Sequence, residues 1–298
     1  MSSRPDASII IPVLNGEATL PSLFAALKSQ AGGRNFEIIV VDNGSTDRTC
    51  ELTAAQAGIQ LLHQSIRGPA AARNLGLAHA QGEVVLCTDS DCVPCRRWLI
   101  SLLRVFQDPA AVLATGPIFG WQPATGAERY ASSHRGYTRE RSAEHPVCPF
   151  AHGMNVAVRR AAAGAVGGWD EAMTSGEDVD FSIRLRKRFN APIHFVEDAV
   201  VFHKHRSTDE ALWKQARWHG AGYAMVRRRH AKELPWMGWQ LGVGLGFTGI
   251  LHAAAPLVAL GRYAGWFSEQ QAEFERYHRR WLRCFWGGFL AQWIKHPA

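Results

Sequence analysis

Phe36-Glu-Ile-Ile-Val-Val41 runs directly into Asp42-Asn43-Gly44-Ser45-Thr46-Asp47, and a helical pattern follows over Asp47–Ala57. The first stretch is short, apolar and β-branched, which reads as a strand buried on both faces. The polar stretch supplies turn and helix-capping residues. The same strand-turn-helix unit recurs on either side. Upstream, Ser8–Leu14 reads as a strand, and Ala18–Gln30 as a helix that stops at Gly32-Gly33. Downstream come a strand at Ile59–Leu62, a helix at Pro69–Ala80 with proline in its first turn, a strand at Glu83–Thr88 and a helix at Arg96–Phe106. Repeated βα units predict an α/β fold with a mostly parallel sheet and helices on its faces. After Val112–Thr115 the alternation loosens. Residues 117–150 are rich in Gly, Pro and polar groups and read as a loop near the active site. Arg159–Val166 carries a short alanine-rich helix signal, a clear helix starts near Asp178 and runs to Phe189, and Ile193–Val196 and Val200–His203 read as short strands. The chain contains no internal repeat and no low-complexity tract.

With 298 residues, 47% hydrophobic and 20% charged, the chain can bury a sizeable core and is not of the disordered class. Met1-Ser-Ser-Arg-Pro-Asp6 leads straight into Ile9-Ile10-Ile11, an apolar run too short for a secretory signal, so a cytoplasmic location is expected. Six cysteines at irregular spacings do not suggest a disulfide framework. A net charge of +7 favours anionic partners: nucleoside diphosphates, anionic lipid headgroups or nucleic acid. The basic residues collect around Arg184–Arg188, Arg227–Arg229 and Arg276–Arg283, and no nucleic-acid motif accompanies them, so nucleic acid is not an expected partner.

The C-terminal part differs in character. Leu212–Arg229 reads as a basic helix, and the 25 residues of Trp236–Leu260 contain no Asp, Glu, Lys or Arg. That length suffices to cross a bilayer. However, Arg227, Arg228, Arg229 and Lys232 precede the segment, and Arg262, Arg276, Arg279, Arg280 and Arg283 follow it. Both flanks favour the cytoplasmic side, which one crossing cannot satisfy, and the next apolar piece, Cys284–Ile294, is too short for a return. An in-plane or re-entrant segment on the inner face of the membrane fits better, with Trp236, Trp239, Trp266, Trp281, Trp286 and Trp293 near the headgroups. The alternative is that these helices pack on the catalytic domain or on a second copy of the chain. The division expected is a catalytic domain over residues 1–225 and a helical, apolar tail over 226–298.

Chemistry concentrates at the strand ends. Asp89-Ser90-Asp91 follows the strand Glu83–Thr88, so its carboxylates emerge where open α/β sheets bind ligands. Two acids at this spacing suit a hard divalent cation, Mg²⁺ or Mn²⁺, together with a ribose, the cation taking its remaining ligands from phosphate. Asp42, followed by a glycine-containing turn, can accept hydrogen bonds from a base or ribose. Arg67-Gly68-Pro69 and Arg73-Asn74 lie between these acids, and their guanidinium groups can meet phosphate. Gly176-Glu177-Asp178 opens a helix, where the dipole favours ionised acids; one held beside a hydroxyl can act as a general base. His203 and His205 follow an apolar strand and are potential metal or phosphate ligands. Cys92-Val-Pro-Cys95 lacks a second ligand pair at zinc spacing.

Together these pieces resemble glycosyltransferase family 2. The matching stretches are Ser8-Ile-Ile-Ile-Pro-Val-Leu-Asn15, Val40-Val-Asp-Asn-Gly-Ser-Thr-Asp47, Gly68-Pro-Ala-Ala-Ala-Arg-Asn-Leu-Gly76 and Asp89-Ser-Asp91. Gly153-Met-Asn155, Gly168-Trp-Asp-Glu171, Gly176-Glu-Asp178 and Val201-Phe-His203 complete the set. The resemblance covers residues 6–225 in order. It implies a GT-A fold, Rossmann-like, and an inverting transfer of one sugar from a nucleotide-sugar donor to a hydroxyl acceptor on a lipid carrier or cell-envelope glycan. It implies a donor-binding set of Pro12, Asn15, Asp42, Arg67, Arg73, Asp89 and Asp91. Within it Asp42 matches the acid that contacts the nucleobase, Asp91 the metal carboxylate, and Asp89 a group aiding ribose or metal. Asp178 matches the catalytic base, with Glu177 beside it. His203 is similar to a histidine that completes the metal-diphosphate site, with His205 as its competitor. Gln215-Ala-Arg217-Trp218 is one residue short of the Q-x-x-R-W signature of processive synthases, which favours single addition.

Two other classes are weighed against this one. A sugar nucleotidyltransferase requires an N-terminal glycine-rich triphosphate loop, which Pro12-Val-Leu-Asn-Gly16 matches poorly. A non-catalytic nucleotide-sugar or membrane-binding module is disfavoured by the presence of both Asp91 and Asp178.

Overall fold

The computed structural model describes residues 4–30, 32–33, 35–134, 137–234 and 268–295. Its chain divides into two compact units, one made of Met1–Trp121, Gly136–Met173 and Glu177–Lys204, the other of Gln122–Arg135, Thr174–Gly176 and His205–Ala298.

The first unit is built on a seven-stranded sheet. Its strands are β1 (Ala7–Val13), β2 (Phe36–Asp42), β3 (Ile59–His63), β4 (Val84–Cys87), β6 (Leu113–Thr115), β8 (Val156–Arg159) and β9 (Ile193–Phe195), in the order β3-β2-β1-β4-β8-β6-β9. The first four pair in parallel, with Val13 opposite Asp42 and Ile10 opposite Cys87. Strand β8 is antiparallel to both its neighbours, while β6 and β9 pair in parallel. All seven residues of β1 are buried, as expected of a central parallel strand, and its one polar residue, Ser8, hydrogen-bonds to Glu37.

Alternation along β1 assigns its side chains to two cores. Ile9 and Ile11 pack with Leu20, Leu23 and Leu27 of helix α1 (Leu20–Lys28) and with Trp98 and Leu102 of α4 (Trp98–Val105). Ile10 faces the other way, toward Ala70 and Ala72 of α3 (Pro69–His79), Ala162 and Ala163 of α6 (Arg160–Ala165), and Phe181 and Leu185 of α7 (Glu177–Phe189). The short α2 (Thr49–Ala54) follows the turn after β2. Both faces of the sheet are thus covered, and the expected α/β architecture with a mostly parallel sheet is the one observed.

Differences from the sequence expectation fall after β4. A second sheet, in the order β5-β10-β7, is formed by β5 (Cys92–Pro94), β7 (Ile118–Gly120) and β10 (Val201–His203). The stretch read as a loop holds β7 and helix α5 (Gly126–His134). Strand β8 carries no sequence expectation at all; it sits directly before the alanine-rich α6, and its short Val156-Ala-Val-Arg159 run has no turn residue to mark its end.

The second unit contains α5, α8 (Asp209–Arg229) and α9 (Glu269–Lys295). Thr208 caps α8 by accepting from the Ala211 amide. Helices α8 and α9 run side by side in the same direction: Tyr277 donates to Asp209 at one end, and Arg228 donates to the Trp293 carbonyl at the other. Two glycines allow the close approach. A Cβ at Gly220 would overlap the Phe285 carbonyl, and one at Gly288 the Arg217 carbonyl. Tyr130 of α5 stacks on Tyr277 and Arg129 pairs with Glu273. The uncharged Trp236–Leu260 segment, with Trp239 and Trp266, lies outside the described residues. Among the described residues no helix is long and apolar enough to cross a membrane.

One side chain ties the sheet-end segments of the first unit together. Asn155 is fully buried; its Oδ1 accepts from Trp98 Nε1 at 2.8 Å, and its Nδ2 donates to the carbonyls of Ala199 at 2.8 Å and Pro117 at 3.2 Å. Replacing it with alanine strands three buried polar groups. Asn155→Ala should therefore cost about 2–4 kcal/mol, read as a lower midpoint in urea denaturation; an unchanged midpoint would mean that water replaces the amide.

Candidate active site

Because β1, β2 and β4 are parallel, their carboxyl ends share one edge of the sheet, the edge at which ligands bind in open α/β folds. Asp42 is the last residue of β2. It is buried and accepts backbone hydrogen bonds from Gly44 at 3.2 Å and Ser45 at 3.1 Å. Burial works to raise its pKa, but bonds from the Ser45 side chain and backbone, the Gly44 amide and His63 outweigh it and hold Asp42 below the usual carboxylate range. Asn43, next in the chain, pins the neighbouring loop. Its Nδ2 donates to the carbonyls of Gln64 and Ile66, and its Oδ1 accepts from the Gly68 amide at the start of α3. Pro12 is buried near the end of β1. Asn15, just beyond, has φ +54, and its Oδ1 accepts from the Thr46 amide at 2.9 Å. Arg67 is exposed on the loop that Asn43 anchors and, among the described residues, makes no ion pair.

Asp89 and Asp91 stand in the turn between β4 and β5. Asp91 Oδ1 lies 3.3 Å from His203 Nε2, and the Asp91 carbonyl accepts from the Lys204 amide at 2.9 Å. The antiparallel pairing of β10 with β5 puts His203 opposite Cys92 and so beside the acids. His203 is buried in the first unit; His205 falls in the second. One oxygen and one nitrogen at this separation suit neighbouring positions around an octahedral cation, which at bond lengths of about 2.1 Å sit roughly 3 Å apart, leaving the other positions to phosphate and water. A second cluster, Asp42, Cys50 and His63, has donor atoms within 4.8 Å of one another. It fits a hard cation less well: the Asp42 oxygens already accept three backbone bonds, and burial and the Asp42 charge push the Cys50 thiol up.

Arg73 joins the Asp89 turn to the start of α7. It is 3% exposed, and its two terminal nitrogens donate to Asp89 Oδ1 at 2.9 Å and Glu177 Oε1 at 2.8 Å. The guanidinium lies against Gly153, where an added Cβ would come within 2.8 Å of it. Burial opposes the charge on Arg73, but Asp89, Glu177 and the neighbouring groups outweigh that and raise its pKa. Asp178 is largely buried beside Glu177. Its Oδ2 accepts from the Gly153 amide at 3.2 Å and its Oδ1 from the Val179 amide at 2.8 Å. Burial pushes the Asp178 carboxyl above the usual range, against the pull of the Gly153 amide and Arg73. Glu177 is pushed up by burial and by Asp178, with Arg73 opposing.

Asn74, next to Arg73 on α3, explains the Gly168-Trp-Asp-Glu171 stretch. Its Oδ1 accepts from the Trp169 amide, and its Nδ2 donates to the Trp169 carbonyl and to Glu171. Trp169 in turn stacks on Phe181, with centroids 4.3 Å apart, which fixes α7 and the two acids at its start. Sequence reasoning omits His152, whose Nδ1 is 3.7 Å from Asp178 Oδ2. A histidine directly before a glycine-containing motif was the available signal.

The family model described as Glycosyl transferase family 2 matches residues 8–167. The pre-mycofactocin glycosyltransferase of Mycobacterium tuberculosis is 32% identical over 263 residues, covering 82% of this chain and 54% of the relative. The chain thus spans about half the length of that relative. Glycosyltransferase AglE of Haloferax volcanii is 30% identical over 224 residues, covering 72% of each protein. Among solved structures, the mannosyltransferase PcManGT from Pyrobaculum calidifontis in complex with GDP-Man and Mn²⁺ superposes with a TM-score of 0.67 at 18% identity, covering 99% of this chain and 89% of that one. The GT-A fold is common to both, and the protein belongs to glycosyltransferase family 2.

Proposed function

We propose that the protein is a metal-dependent, inverting glycosyltransferase that moves one sugar from a nucleoside diphosphate donor to a hydroxyl acceptor. The observation that carries this reading is the Arg73 bridge, which holds Asp89 of the D-x-D turn and Glu177 beside Asp178 on one guanidinium. Donor and acceptor chemistry then meet within a few ångströms. In this reading Asp42 receives the nucleobase with Pro12 and Asn15 alongside, Asp89 the ribose, and Arg67 the diphosphate. Asp91 and His203 would hold the cation, Mg²⁺ or Mn²⁺. The complex of the similarly folded mannosyltransferase PcManGT with GDP-Man and Mn²⁺ supports the class of donor and ion.

Asp178 takes the proton from the acceptor hydroxyl. The freed oxygen attacks the anomeric carbon from the face opposite the diphosphate, the bond from that carbon to the diphosphate oxygen breaks, and the nucleoside diphosphate leaves. Configuration inverts, and no covalent enzyme intermediate is needed. The cation, when bound, neutralises the charge that grows on the leaving diphosphate. The backbone amides of Gly153 and Val179 orient Asp178 without neutralising it, as a base requires.

The catalytic role is assigned to residues 1–225 and membrane attachment to 226–298. The uncharged segment between two basic flanks, together with Arg276, Arg279, Arg280 and Arg283 on α9, supports a peripheral position on an anionic membrane and an acceptor carried on lipid.

Four outcomes test this reading. Asp91→Asn should weaken Mn²⁺-dependent binding of GDP and UDP in calorimetry while preserving the fold; unchanged metal-dependent affinity removes Asp91 from the metal site. Asp178→Asn should lower turnover by about 10²-fold or more with donor affinity nearly kept, whereas a larger loss in Glu177→Gln would reverse the two roles. Since only the ionised carboxylate accepts a proton and burial raises its pKa, wild-type turnover should fall on acidification at a higher pH than an ordinary aspartate would give. Finally, the full chain should float with anionic vesicles at low salt; if it stays at the bottom, the tail is a packing or dimerisation element.

A further inference from the structure

The acids around Arg73 outnumber the cation that serves them. Asp89, Glu177 and Asp178 surround one guanidinium, and Arg73 donates its two terminal nitrogens to Asp89 and Glu177. The Asp178 carboxylate receives the two backbone amides and no guanidinium hydrogen bond. Among the described residues, the further group of potential positive charge beside it is His152, with Nδ1 at 3.7 Å from Oδ2, an ion-pair distance longer than a hydrogen bond. Both side chains are largely shielded, at 14% and 13% exposure, so solvent screens their interaction little. Aromatic rings pack against His152. Tyr137 lies 4.3 Å away between ring centroids, and Phe150 lies 6.0 Å away. The chain leaves His152 directly into Gly153, whose amide bonds the same carboxylate oxygen. The segment 152–153 therefore presents an imidazole and an amide to one atom.

We propose that His152 is a positioning residue for Asp178, an imidazole that Tyr137 and Phe150 pack beside the carboxylate and whose charge sets its ionisation. The proposal rests on the reading of Asp178 as the base, yet the pairing itself is open to a test that needs no turnover. A protonated His152 adds the missing positive charge and keeps Asp178 ionised amid Asp89 and Glu177. Conversely, an ionised Asp178 raises the proton affinity of His152. The charged and titratable groups facing the pair are Arg73 from α3, Asp89 from the turn after β4, Glu177 on α7 itself and the Tyr137 phenol beside the imidazole.

The test is a pH titration of the full-length, metal-free protein carrying ¹³C-labelled histidine, with the His152 signal assigned by its loss in His152→Gln. In Asp178→Asn the His152 midpoint should fall by about one pH unit or more, as expected for loss of a carboxylate within about 4–6 Å. A midpoint that stays put overturns the pairing. A kinetic arm uses whichever of GDP-mannose, UDP-glucose or UDP-GlcNAc is hydrolysed with Mn²⁺. In His152→Gln the acidic limb of kcat should move to higher pH by about half a unit or more, with the donor KM kept and the thermal midpoint unchanged. An unmoved limb, in an enzyme that Asp178→Asn has inactivated, overturns the proposal while leaving the base assignment intact. If Asp178→Asn leaves turnover untouched, the base assignment fails, and the histidine titration still decides whether the pair exists.

Discussion

A single buried guanidinium organises the site. Arg73 sits on α3, beneath the carboxyl edge of the sheet, and its charge is compensated by acids from two other parts of the chain, Asp89 after β4 and Glu177 at the start of α7. Removing one partner of a buried ion pair leaves an uncompensated charge and typically costs 3–5 kcal/mol. The three segments therefore hold one another in place. Gly153 is part of the same constraint, because any side chain there would displace the guanidinium, and its amide goes on to bond Asp178. The geometry of the candidate base thus depends on an arginine that does not hydrogen-bond to it.

The acids of this edge are sorted by their surroundings. Asp42 and Asp178 are both buried, but the Gly44-Ser45 turn supplies Asp42 with enough donors to hold its pKa down, while at Asp178 burial, aided by the Asp89 charge, outweighs the Gly153 and Val179 amides and Arg73 and pushes it up. In the proposed reading the first carboxylate stays an acceptor of hydrogen bonds and the second exchanges a proton. Separation of paired carboxyl groups by environment is a general way to divide binding from acid–base work in one site.

The second unit rests on different physics. Helices α8 and α9 approach at Gly220 and Gly288, and aromatic residues fill the remaining seam: Tyr223 against Phe285 and Phe289, and Phe289 stacked on Trp293. Trp281 and Trp286 contact Phe285 as well. Tryptophans expected near lipid headgroups therefore also serve packing within this unit. Composition does not distinguish an aromatic that meets lipid from one that meets another helix, since both bury the same apolar surface.

The parallel half of the sheet was legible because a strand buried on both faces must be apolar throughout, and Ile9-Ile10-Ile11 and Ile38-Ile-Val-Val41 are. The strand-end acids Asp42, Asp89 and Asp91 were legible for the same reason, since a polar residue after such a run marks where the chain leaves the core. Strands β5, β7 and β8 were not legible. They are about as short as β9 and β10, which were readable as runs, but they exist through pairing with segments distant in sequence rather than through a local pattern. Sequence alone determined the fold class, the order of the βα units and which acids stand at strand ends, because local periodicity and turn chemistry encode these. Tertiary structure alone decided that Arg73 is buried between two acids, that His203 meets Asp91 and that His152 meets Asp178. Those facts depend on charges brought together from segments 104, 112 and 26 residues apart, and an arginine or histidine reads the same in sequence whether solvent or a carboxylate surrounds it.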